Sequence, residues 1–91
     1  MNRGKVVKLD NMWLVKCPGC NRSHPIDERW SFNGDINNPT FTPSLLINQH
    51  RPEMRCHSFI TNGEIQFLSD CYHSLAGETV ELEQWTEDDD Y

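Results

Sequence analysis

The dipeptide Asn62-Gly63 lies between two runs rich in apolar residues, 55–61 and 64–71. Asn-Gly is the strongest short-range signal for a two-residue hairpin loop, because both residues tolerate the positive φ that such a loop requires. With these two in the loop the register follows: Thr61 faces Glu64, Ile60 faces Ile65, Ser58 faces Phe67 and Cys56 faces Ser69. Side chains alternate along a strand. Cys56, Ile60, Ile65, Phe67 and Cys71 therefore share one face, and Arg55, His57, Phe59, Leu68 and Asp70 the other. Cys56 and Cys71 become diagonal neighbours, with Cβ atoms roughly 7–8 Å apart or less. Two thiolates on one tetrahedral ion can have that separation.

A chain of 91 residues makes one small domain, expected to span 1–86 with an acidic tail at 87–91. So short a domain has a marginal hydrophobic core and calls for a staple. Four cysteines could supply two disulfides or one metal site, and the choice turns on compartment. The N-terminal residues lack the apolar run of a signal peptide, and no segment approaches the ~20 apolar residues of a membrane span. A cytoplasmic protein with reduced thiols is the expectation, which favours metal.

Cys17-Pro18-Gly19-Cys20 strengthens that choice. Pro18 presets φ and Gly19 permits the tight turn that aims both sulfurs at one point. This is the spacing of a zinc knuckle, and no helical pattern follows it as in redox pairs. The simplest Zn2+ site is Cys17, Cys20, Cys56 and Cys71, with His24, His57 and His73 as alternative or second-site ligands.

Residues 5–16 read as two strands around an Asp10-Asn11 turn, and residues 23–26 return beside the Trp13 strand. Residues 29–32 form a short strand, 34–43 an ordered loop rich in turn formers, and Leu45, Leu46 and Ile47 another strand. Asp70 caps a short helical turn through Ala76 that ends at Gly77, and residues 79–85 form a last strand. The predicted fold is mainly β: a small zinc-stapled, zinc-ribbon-like domain of two or more antiparallel hairpins with one short helical turn.

Charge narrows the partners. Of eight basic residues none follows Ile60, whereas nine of fourteen acidic residues do. A net charge of −6 argues against a nucleic-acid footprint. The acidic C-terminal third suits a basic protein surface, or serves only as a solvated face. Two functions follow from the residues alone. One is a protein-interaction module or inhibitor of a host protein, held together by zinc. The other is a compact zinc-dependent hydrolase in which His57, Asp70 and His73 carry the chemistry. Asp70 also faces Arg55, so a surface ion pair explains it without function.

The series CPGC, HPI, WSFNG, NPTFTPSLL, RCHSFI, NG, IQFL and DCYH resembles a family of small phage and prophage zinc-binding proteins of unknown function. These often carry the label "ammonia monooxygenase", an activity that belongs to membrane-embedded multi-subunit assemblies. That resemblance implies an acidic binding module whose partner is a host or phage protein. It falls on Cys17, Cys20, His24, Cys56, His57, Asp70, Cys71 and His73, a set larger than one structural site needs. Pro43-Ser44, with Cys56, His57 and Gly63, more distantly resembles a domain found beside bacterial ubiquitin-like conjugation genes. This second likeness implies a metal-dependent peptidase, with Glu28 the nearest counterpart of its glutamate.

Overall fold

The computed structural model describes residues 2–86. The acidic tail expected at 87–91 lies outside them. Ten strands, β1 (Asn2–Gly4), β2 (Val6–Leu9), β3 (Met12–Cys17), β4 (Arg22–Ile26), β5 (Ser31–Phe32), β6 (Phe41–Ile47), β7 (Cys56–Thr61), β8 (Glu64–Phe67), β9 (Thr79–Glu81) and β10 (Trp85–Thr86), form three antiparallel sheets. No helix among the described residues is long and apolar enough to cross a membrane.

The first sheet is the meander β2-β3-β4. Its β-branched and aromatic residues suit a pleated surface. Asp10, at a φ of 54°, turns β2 into β3 so that Leu9 pairs with Met12. β4 returns along β3 with Trp13 opposite Ile26 and Val15 opposite His24. The second sheet runs in the order β5-β6-β7-β8-β9. Its centre is the Asn62-Gly63 hairpin, both residues lying at positive φ, 51° and 81°. Thr61 pairs with Glu64, Ile60 with Ile65 and Ser58 with Phe67, as the turn chemistry dictates. A third, two-stranded sheet joins β1 to β10.

Several local readings change. β8 ends at Phe67, so Cys56 pairs across the other edge of β7, with Ile47 of β6 and not with Ser69. The segment read as a loop to Pro43 contributes to β6, which starts at Phe41 and contains an irregularity before Leu45. Pro43 lies inside that irregular stretch and has no N–H for a ladder. The helical turn expected from Asp70 to Ala76 is a succession of turns, with Cys71 N–H donating to the Leu68 carbonyl and Ala76 N–H to that of His73, both at 3.2 Å. Helical geometry occurs instead as one 3₁₀ turn at Pro52–Met54.

Both larger sheets contribute to one core. Val6, Val15, Cys17 and Ile26 from the first meet Phe41, Leu45, Cys56, Ile60, Ile65 and Phe67 from the second. Two of the four cysteines are thus buried at the junction of the sheets. Leu82, buried after β9, donates its N–H to the Gly63 carbonyl and closes the hairpin end.

Candidate functional site

Two groups of chemistry-bearing side chains adjoin on β7, one on each of its faces. On the core side, β3 delivers Cys17 into the C-P-G-C turn, where the Cys20 N–H donates to Cys17 Sγ at 3.3 Å. Asn21 N–H donates to the Cys17 carbonyl at 2.9 Å and takes a φ of 56°, reversing the chain into β4. That reversal brings His24 back beside the knuckle. Cys56, the first residue of β7, lies with its Sγ 3.8 Å from that of Cys17.

One ligand atom from each of Cys17, Cys20, His24 and Cys56 lies within 4.8 Å of the others, a group that could hold a metal ion. Two sulfurs bound at about 2.3 Å to one tetrahedral metal are separated by about 3.8 Å, which the Cys17–Cys56 distance meets. His24 is 1% exposed and its Nε2 has no hydrogen-bond partner. A buried polar atom of this kind ordinarily has one. Soft sulfur and imidazole donors suit zinc-type chemistry and not an oxygen-seeking cation. All four cysteines are free thiols.

Electrostatics divide the thiols of the cluster. The hydrogen bond from Cys56 pulls the Cys17 thiol far below the usual range, with His24 assisting. The same contact pushes Cys56 up, and burial pushes Cys20 up. Cys17 is therefore the natural thiolate, and a metal would displace protons from its neighbours.

A second group, Cys56, Cys71 and His73, shares Cys56 with the first. His73 Nδ1 accepts the Leu75 N–H at 3.3 Å and its Nε2 lies 3.5 Å from Cys56 Sγ. Its ring packs edge-on to Phe67 and fills the space over Gly19, where any Cβ would fall 2.2 Å from His73 Cε1. Cys71 Sγ accepts the His57 N–H at 3.2 Å and donates to the His57 carbonyl at 3.1 Å. The cluster thereby grips the backbone of the residue that faces the other way.

On that opposite face His57 Nε2 lies 3.1 Å from Ser44 Oγ, and His57 Nδ1 lies 3.3 Å from Asp70 Oδ2. The register of β6 on β7, Leu45 with Ser58 and Leu46 with His57, carries Ser44 to the imidazole. Trp30 Nε1–H donates to the Ser44 carbonyl at 3.3 Å and braces the strand there. With Asp70 accepting from Nδ1–H, Nε2 is left as the acceptor of the Ser44 hydroxyl proton. The side chains of His57 and Asp70 are 24% and 41% exposed, so the line opens to solvent on one side.

Of the candidate catalytic residues, His57 and Asp70 come together as an ion pair, whereas the alternative reading of Asp70 was a surface pair with Arg55. His73 is with the cysteines. Among the candidate ligands, Cys17, Cys20 and Cys56 converge, His24 joins them, Cys71 falls in the second group, and His57 belongs to neither. Ser44 was legible only as half of a Pro-Ser pair. The signal that could have found it is a hydroxyl residue at the start of a strand able to pair with the His57 strand.

A nucleophilic hydroxyl, an imidazole and a carboxylate in hydrogen-bonded sequence are the side-chain set of the serine hydrolases, here on a small β scaffold with a cysteine and histidine cluster. The family model described as the bacterial ubiquitination-like system serine protease, BubE, matches residues 1–68, and the chain belongs to that family. The matched stretch contains the knuckle, Ser44 and His57, and ends two residues before Asp70. No curated protein and no solved structure matches the chain. The expected phage zinc-binding family finds no support; the distant likeness to a ubiquitin-like-system peptidase is the one in the right direction.

Proposed function

We propose that this chain is a serine peptidase acting in a bacterial ubiquitination-like system, with Ser44 as nucleophile, His57 as general base and acid, and Asp70 as the group that orients His57. The observation that carries this reading is the Ser44–His57–Asp70 line, with contacts of 3.1 Å and 3.3 Å. Such contacts are often long in the free enzyme and tighten around substrate. The substrate is a peptide bond in a protein of that system, the modifier itself or one of its conjugates.

In the first half-reaction Ser44 Oγ attacks the scissile carbonyl carbon while His57 Nε2 takes the hydroxyl proton. Asp70 stabilises the imidazolium so formed and fixes its tautomer. His57 returns the proton to the departing amine as the carbon–nitrogen bond breaks. Water then attacks the acyl-Ser44 ester with His57 again as base, releasing the acid and restoring Oγ–H.

Zn2+ fits the cluster of Cys17, Cys20, His24 and Cys56, where its chemistry is structural: a closed site whose binding energy becomes folding energy. Both ring nitrogens of His57 are engaged by Ser44 and Asp70. That supports a serine mechanism over a metal-hydrolase one. The adjacency of Cys56 and His57 on β7 explains why a peptidase this small needs the staple.

p-Nitrophenyl acetate tests the reading. Wild-type protein is expected to release a burst of about one equivalent of p-nitrophenol, the signature of an acyl-enzyme. Ser44→Ala abolishes the burst at unchanged zinc content, and Asp70→Asn lowers kcat by about 10⁴-fold through the wrong tautomer. Hydrolysis undiminished in Ser44→Ala overturns the assignment.

A further inference from the structure

We propose that the substrate binds as an added β-strand along the outer edge of β6 at Leu45 to Ile47, beside Ser44, so that the protein reads an extended, unfolded peptide segment. This rests on Ser44 being the nucleophile.

β6 is covered on its outer side at its start, where β5 pairs Ser31 with Thr42 and Phe32 with Phe41, and at Ser44, whose carbonyl is taken by the Trp30 indole. Beyond Thr42 the sheet order puts no strand on that side among the described residues. On the inner side Leu45, Leu46 and Ile47 pair with Ser58, His57 and Cys56. Backbone groups of successive residues in an antiparallel strand point alternately to its two edges. The Ser44 carbonyl points outward, because it accepts the indole N–H of Trp30, which precedes β5 on that flank. Leu46, two residues on, therefore directs its N–H and carbonyl to the same open edge. An unpaired edge of this kind is a template for strand addition.

The position of the edge suits catalysis. A strand added there lies about 4.8 Å from β6, which brings its carbonyls within reach of Ser44 Oγ on the neighbouring strand. Leu46 shares the face of His57, its cross-strand partner. Trp30 also lines a cleft of about 260 Å³ with aromatic residues Trp13, Phe32 and Phe41 and charged residues Lys8, Asp27 and Glu28. The scissile bond of a strand added here lies in an extended segment open to the Ser44 face, which a tail or linker supplies.

The test uses the zinc-loaded full chain and two reagents that both react with serine nucleophiles: diisopropyl fluorophosphate, and a fluorophosphonate carrying a tetra-alanine chain. Amide hydrogen exchange is then followed residue by residue. The expected result is that both label Ser44, and that only the tetra-alanine adduct slows exchange of the Leu46 N–H, by about tenfold or more. Equal exchange at Leu46 in the two adducts overturns strand addition while leaving the serine assignment standing. Failure of both reagents to label Ser44 overturns the serine assignment and this proposal with it.

Discussion

Gly19 is the residue at which the knuckle and the histidine-bearing turn meet. A Cβ there would fall 2.2 to 2.5 Å from three atoms of the His73 ring, so the ring must move if the side chain is enlarged. His73 is itself held by the Leu75 N–H and packed on Phe67, which limits its retreat. Gly19→Ala is expected to lower stability by about 1–3 kcal/mol, the usual cost of overpacking, read as a fall in Tm of the zinc-loaded protein. At this scale the sequence was informative wherever alternation sufficed. The division of the hairpin into a cysteine face and a His57/Asp70 face follows from period two alone. Ser44 escaped because its meeting with His57 depends on strand pairing across the irregularity at Pro43, which no local pattern encodes. His24 was legible only as an alternative ligand, since spacing fixes which residues turn back together and not which atom completes a tetrahedron.

Among the elements, the Asn62-Gly63 hairpin and the β2-β3-β4 meander were readable because each is closed by a short turn with the right residues. The turns at 70–76 were misread as helical: Asp70 is at a capping position and Gly77 takes a left-handed φ of 84°, but no buried helical face connects them. The last strand divides in two because Leu82 is drawn into the core before Trp85 pairs with β1. Convergence of elements decides which side chains could share a metal ion. His24 reaches the cluster because β4 returns along β3, whereas Cys71 is occupied by both backbone groups of His57. His24→Ala is therefore expected to lose tightly bound zinc and to melt at lower temperature, while Cys71→Ser keeps one zinc per chain by elemental analysis. Zinc loss in Cys71→Ser with retention in His24→Ala would restore the four-cysteine site read from the hairpin register.

Across the whole molecule the two groups form a back-to-back arrangement, with the cluster in the core and the Ser–His–Asp line on the exposed face of the same strand. The free thiols make metal loading pH-dependent. Burial raises the Cys20 pKa and the Cys17 contact raises that of Cys56, so both hold their protons near neutrality, whereas the same contact lowers that of Cys17. Binding must displace those protons, so zinc affinity rises with pH and falls on acidification. Calorimetric titration in buffers of different ionisation enthalpy is expected to show net proton release on binding; no release would mean that the thiols are already ionised. The acidic C-terminal third falls largely outside the family match and outside the Ser–His–Asp line, apart from Asp70.

The central claim is that Ser44, and not a metal-bound water, does the chemistry on a metal-stapled scaffold. Intact-mass and peptide-mapping spectrometry of the zinc-loaded protein after fluorophosphonate treatment tests this most directly. The account predicts a single adduct on Ser44, zinc still bound, and no adduct in His57→Ala. An unmodified Ser44, together with hydrolysis that vanishes on chelation while the fold stays intact, would contradict it.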